Sequence, residues 1–182
     1  MIILRKFIVL IFGVEQYLLL KIRKLRNIYY RDRIISNAKL SGENLFVGGK
    51  SHVNRNTYLG NNVSFNGMII KGNGKVTIGD NFHSGTDCQM ITQIHNFDFG
   101  SRIPYDDTFL LKDITVEDNV WFGNNVIILG GVTIGEGSII QAGSVVVTNI
   151  PKYAIVGGSP AKQFKTRNID HYLELKKKQL YN

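Results

Sequence analysis

From residue 41 onward the apolar positions recur every six residues. In the clearest run, units open at Val116, Phe122, Ile128, Ile134 and Ile140, and Val146 follows in phase. Val120, Val126, Val132, Ser138 and Ser144 sit four places into these units, with Gly, Asn or Asp between. Neither the 3.6-residue period of an amphipathic helix nor the alternation of a hairpin strand fits this spacing. A six-residue unit makes one short strand and one turn. Three units close a triangular coil, and stacked coils bury a continuous ladder of apolar side chains while Gly and Asn bend the turns. Units also open at Ile78, Ser84 and Met90 and, more degenerately, at Ser41, Val47, Val53, Leu59 and Phe65. The insert 71–75 shifts the frame, which breaks again from Asn96 to about Thr115. The expected fold is all-β, a parallel β-helix of about five coils.

The N-terminal segment follows a different pattern. Met1 to Val14 is apolar, broken by Arg5, Lys6 and Gly13. No small-residue cleavage site falls near residues 15–25, which argues against a signal peptide. Glu15-Gln16 interrupts the run short of the ~20 apolar residues of a transmembrane helix. Beyond it, Leu18, Ile22, Leu25 and Tyr29 share one helical stripe, with Lys21, Arg23, Lys24 and Arg26 outside. Such a basic amphipathic helix suits either the surface of an anionic membrane or packing within an oligomer. The chain thus divides into an N-terminal helical segment (1–36), a β-helix (37–160) with an extruded loop at 96–113, and a basic tail (161–182). Within the tail, Asp170 to Leu180 has the character of a short helix.

Composition narrows the picture. A chain of 182 residues, 43% apolar and 20% charged, suits one folded domain, and 19 Gly against 3 Pro fits many tight turns. Cys88 is the only cysteine, so an intramolecular disulfide is excluded; it is read as a small wall-filling residue and fits a reducing cytoplasm. The net charge of +8 comes from the two ends, whereas residues 37–150 carry seven basic and ten acidic residues. That argues against nucleic acid as a partner and for local anionic partners, such as a cofactor phosphate, an acidic glycan or a membrane surface. The four histidines are scattered, so no metal site is expected, and no glycine loop is followed by Lys-Ser/Thr.

Three stretches together carry a resemblance: the coil from Ile78 to His95 with its following loop, Asn119-Val-Trp-Phe-Gly123, and Val156-Gly-Gly-Ser-Pro-Ala-Lys162. Over residues ~41–165 the chain resembles the hexapeptide-repeat acyltransferases, in particular the galactoside, maltose and polysaccharide O-acetyltransferases. The resemblance implies a left-handed coil, acetyl-CoA as co-substrate, and a homotrimer with its site between subunits.

Acyl transfer to a hydroxyl needs a base, donors for the developing oxyanion and a site for the large cofactor. His52 and His83 fall at turn-like places and His171 lies in the charged tail, but His95 closes the last unit before the extruded loop. A loop of that length on a repeat fold is usually functional. The resemblance makes His95 the general base and gives Trp121 a part in holding the site. It places Asn66 and Asn73 where such enzymes make cofactor and acceptor contacts, and they are candidates for binding the acceptor. In the loop, Arg102 and Asp98 are candidates for the acceptor sugar, Asp98 also for orienting the imidazole, and Phe97, Phe99 and Tyr105 for stacking on sugar faces or pinning the loop. For coenzyme A it points to Gly123, Asn124, Ala142, Val147 and Thr148 along the pantetheine arm, with Lys162 and Lys165 on the phosphates. The expected function is transfer of acetyl to a sugar hydroxyl, with a carbohydrate of a surface polysaccharide or its precursor as acceptor. The expected location is the cytoplasm, with the inner face of the membrane also open. The alternatives are N-acetylation of an amino sugar, acetylation of serine or a xenobiotic, and a structural β-helix scaffold.

Overall fold

The computed structural model describes residues 2–182, with side chains from residue 13 onward; the side chains of the apolar run before Gly13 lie outside those described. Helix α1 (Ile2–Asn37) leads into the stack. The first coil holds β1 (Leu40–Ser41) and β2 (Phe46–Gly49), and the second β3 (Thr57–Leu59), β4 (Ser64–Asn66) and β5 (Ile69–Lys71). The third is β6 (Val76–Ile78), β7 (His83–Thr86) and β8 (Gln89–Ile91), after which β9 (Gln93–His95) and β10 (Phe109–Leu111) form an antiparallel hairpin. The fourth coil is β11 (Ile114–Val116), β12 (Trp121–Phe122) and β13 (Ile127–Leu129), and the fifth β14 (Thr133–Ile134), β15 (Ile139–Ile140) and β16 (Val145–Val146). Then come β17 (Ala154–Gly157), β18 (Lys162–Thr166) and helix α2 (Ile169–Lys177).

These strands make three parallel faces of a left-handed β-helix. The first face is β1-β3-β6-β11-β14, the second β2-β4-β7-β12-β15-β17 and the third β5-β8-β13-β16, with β18 added antiparallel to β17. The six-residue frame predicts the interior. Leu59, Ile78, Val116 and Ile134 stack in register on the first face, and Ile70, Met90, Ile128 and Val146 on the third, all buried. The residues four places on, Val120, Val126, Val132, Ser138 and Ser144, are buried too. Phe65, Phe82 and Phe122 pack edge-to-face in the interior, with centroids 6.0 and 4.9 Å apart. Cys88 is buried in the same core, and burial pushes its thiol above the ordinary range.

One edge shows why the turns use asparagine. Asn62, Asn81 and Asn119 all adopt left-handed backbone (φ 56, 56 and 58°), which asparagine tolerates better than most residues. Stacked one above another, Asn62 donates to Asn81 and Asn81 to Asn119, each at 2.9 Å. Asn119 in turn donates to the Tyr172 hydroxyl of α2 (2.9 Å), which donates to Glu136 (3.0 Å), and Lys176 binds the same carboxylate. In the next coil the place is taken by Gly137, where a Cβ would come within 3.0 Å of the Tyr172 ring. Partial burial pushes the Glu136 carboxyl up, but hydrogen bonds from Lys176 and Tyr172 outweigh it and hold the group below the usual carboxylate range. The stability this contributes is present above the ordinary carboxylate pKa and is lost as pH falls through the depressed one.

Several expectations change. His83 opens β7 and His52 forms a bridge to Ile69, so both lie in strand pairing and not in turns. The chain leaves the prism at Gln93, before His95, because the excursion starts as a paired hairpin. Lys162 and Lys165 lie on β18 and not in a loose tail. Among the described residues no helix is long and apolar enough to cross a membrane. α1 runs unbroken past Glu15-Gln16, and it buries Ile34 at its last turns while Leu18, Ile22, Leu25 and Tyr29 stay exposed.

Candidate active site

The hairpin that carries His95 is clamped at its base. Buried Thr92 donates its hydroxyl to Lys71 O (2.8 Å) and accepts from Gly74 N (3.1 Å), while Lys112 N donates to Thr92 O (2.8 Å). Asp113 brings the chain back to the prism by accepting from Lys75 N at 2.8 Å. Across the hairpin, His95 pairs in register with Phe109. The imidazole stacks on Tyr105 (centroids 3.7 Å apart, planes 17° apart) and packs against Phe109 (4.5 Å). Its Nδ1 is buried without a hydrogen-bond partner. Among the described residues no hydrogen bond joins Asp98 to the imidazole, whose contacts are with the two aromatic rings.

Asp106 organises the rest of the loop. It accepts from Ser101 N (2.8 Å), Thr108 N (2.9 Å) and the Thr108 hydroxyl (2.5 Å). These bonds, the Thr108 hydroxyl foremost, hold its carboxyl well below the usual range. Arg102 pairs with Asp107 at 2.6 Å, both exposed. Phe99 and Ile103, 87% and 98% exposed, contribute no packing to the loop. Neither Asp106 nor Phe109 stood out in the sequence. The Asp106-x-Thr108 spacing is the signal for the first, since a carboxylate two residues before a hydroxyl closes such a turn.

The remaining candidates fall elsewhere on the prism. Asn73, Val147 and Thr148 lie at turns between the third and first faces, the edge from which the hairpin leaves. Asn66, Gly123, Asn124 and Ala142 lie at the edge between the second and third faces. There Asn66 donates to Ser84 O and Asn124 accepts from Thr86 N, both at 2.9 Å, so these side chains tie coils together. The absence of a side chain at Gly123 also serves stacking, because a Cβ would lie 2.6 Å from Ala142 N. Ala142 and Gly143 are exposed, and a Cβ at Gly143 would meet nothing within 4 Å. Lys162, opposite Gly157, and Lys165, opposite Ile155, are exposed on β18, the strand that ends the second face. Trp121 projects from the second face between His83 and Ile139, into a cavity of about 330 Å³ that Tyr172 and Tyr181 also line. A single chain therefore carries His95, Asp98 and Arg102 on one hairpin and its loop, but leaves Trp121 and the Ala142 edge on other parts of the prism.

A family model for the bacterial transferase hexapeptide (six repeats) matches residues 113–148. A hexapeptide-repeat acetyltransferase of Vibrio cholerae, solved with acetyl-CoA, superposes with a TM-score of 0.64 at 30% identity, covering 72% of this chain and 73% of that one. The chain belongs to the hexapeptide-repeat acetyltransferases. Within that family, a galactoside acetyltransferase solved with coenzyme A superposes with a TM-score of 0.63 at 29% identity, covering 73% of this chain and 67% of the other. A Schizosaccharomyces pombe protein that carries an acetyltransferase name is 46% identical over 90 residues, which is 50% of this chain. The chain spans about half the length of the curated relatives it matches, 42% of that protein and 55% of a Saccharomyces cerevisiae one.

Proposed function

We propose that the protein transfers an acetyl group from acetyl-CoA to a hydroxyl of a carbohydrate, with His95 as general base. The observation that carries this reading is the His95 imidazole, packed against Tyr105 and Phe109 on the hairpin that leaves the prism. An imidazole has an intrinsic pKa close to neutral pH, which suits a base that must accept and then release a proton. His95 takes the proton of the acceptor hydroxyl as its oxygen bonds to the thioester carbonyl carbon. The carbon–sulfur bond then breaks, and His95 returns the proton to the departing sulfur.

The residues present fit a coenzyme A chain. Ala142 is exposed and Gly143 has open space above its backbone, and Lys162 and Lys165 supply cations for phosphates. Because these residues and His95 lie on different edges, we infer a site completed between copies in a homotrimer, with the Ala142 edge of one chain facing the hairpin of the next. Arg102, Asn66, Asn73 and the exposed ring of Phe99 are the acceptor contacts in this reading, and Trp121 helps hold the site. The acceptor is a surface polysaccharide or its precursor, for which exposed aromatic rings provide stacking faces.

The test is release of free thiol from acetyl-CoA against a panel of glycans and amino sugars. Acceptor-dependent release with hydroxyl-only glycans, lost in His95→Ala, supports the proposal. Release only with amino sugars moves the reading to N-acetylation. No release together with no coenzyme A binding by calorimetry leaves a scaffold.

A further inference from the structure

Every residue of α1 from Gly13 to Arg26 is exposed, a span of roughly 20 Å with no packing partner from the prism among the described residues. Among the described residues, the helix meets the prism at its C-terminal end, where Ile34 is buried and Tyr30 packs against the core. At 100° per residue, Val14, Leu18, Ile22, Leu25 and Tyr29 fall within one arc of about 80°, on the side away from Ile34. All five are exposed, Leu25 at 67%. Lys21 and Lys24 flank this arc on one side, and Arg26 and Arg33 on the other. Between Gly13 and Arg33 there are six basic residues, and the two acids are Glu15 and Asp32. Asp32 is paired with Arg31 at 3.1 Å, which leaves the flanking cations uncompensated by it.

We propose that this arc of α1 docks on the anionic headgroup surface of a lipid bilayer. The apolar residues enter the boundary between headgroups and acyl chains, and the flanking lysines and arginines reach lipid phosphates with their stems along the apolar surface. Charge selects this occupant over a second copy of the helix. A self-associating α1 would bring several like charges together on each chain with almost no acids to pair them, whereas an anionic surface attracts each one. The inference does not rest on the acetyltransferase reading, since it uses no residue of that site.

The test is cosedimentation of the full chain with vesicles of phosphatidylglycerol in phosphatidylcholine, and with phosphatidylcholine alone. Binding to the anionic vesicles is expected to be at least ~tenfold stronger and to weaken as salt rises. The triple variant Leu18→Glu/Ile22→Glu/Leu25→Glu removes it. Lys21→Gln/Lys24→Gln/Arg26→Gln lowers it by about fivefold per charge removed. All six side chains are exposed, so both variants keep the wild-type unfolding transition. Equal binding to both vesicle types, or none, overturns the proposal. So does a drop in particle mass by light scattering in the Leu18/Ile22/Leu25 variant without loss of vesicle binding, which assigns the arc to copies of the chain.

Discussion

The prism and the hairpin that leaves it solve opposite problems. In the prism each inward position is filled by the same kind of residue in successive coils, as with Ile70, Met90, Ile128 and Val146. Side chains there are interchangeable in role, and their work is to exclude water. In the hairpin the packing is sparse and particular. His95 rests on Tyr105 and Phe109, one carboxylate ties the loop, and Phe99 and Ile103 stand in solvent. The difference separates stability from chemistry. Damage to the prism should lower stability before it touches rate, and damage to the hairpin should do the reverse.

The largest expected effect is that of His95→Ala. Loss of a general base lowers kcat by roughly 10²–10⁴-fold, while the unfolding midpoint stays within a degree or two, as steady-state thiol release and calorimetry would read. A large fall in midpoint would show that His95 belongs structurally to the prism. Next is Ile128→Ala, which opens a cavity on the third face and costs about 2–5 kcal/mol in denaturant unfolding, with kcat nearly unchanged for the chains that remain folded. Tyr105→Ala leaves His95 in place but loosens it. A fall of about tenfold in kcat with little change in stability is expected, and Tyr105→Phe should restore most of it, since stacking is what holds the imidazole. Asn81→Ala breaks the middle of the amide ladder and puts alanine at positive φ, for about 1–2 kcal/mol in unfolding free energy. Tyr172→Phe is the smallest, about 1 kcal/mol. It also weakens the hold on Glu136, so the carboxyl titrates closer to its ordinary value and the loss of stability on acidification becomes shallower.

Much of the prism was legible because its rule is one of period. Val116 to Val146 and Ile78 to Met90 declare the inward positions directly, and even the degenerate Val47, Val53, Leu59 and Phe65 are buried in phase. Ser41 is the weak point, half-buried in a two-residue strand where the stack begins. That His95 belongs near an excursion was legible from the same period, but the frame puts the break after it, whereas the chain leaves the prism two residues earlier, at Gln93. What holds His95 was not legible, because Tyr105 and Phe109 reach it through a fold-back whose register no repeat dictates. The amide ladder was hidden too, since its members are neighbours only between coils. Hardest to see was the division of the candidates among edges. Asn119-Val-Trp-Phe-Gly123 looks like one motif, yet Trp121 faces outward from the second face while Gly123 sits at the next edge.

That division can be tested most directly by pairing two variants. His95→Ala removes the base, and Ala142→Trp fills the exposed shelf proposed for the pantetheine arm. Each expressed alone should fold and release no thiol in the presence of acceptor. Expressed together, they should recover up to about a quarter of wild-type activity, because random assembly then places an intact hairpin against an intact shelf at some interfaces. If both variants are folded and inactive alone and their co-expressed mixture is inactive as well, the two edges do not form one site between copies, and the account is wrong.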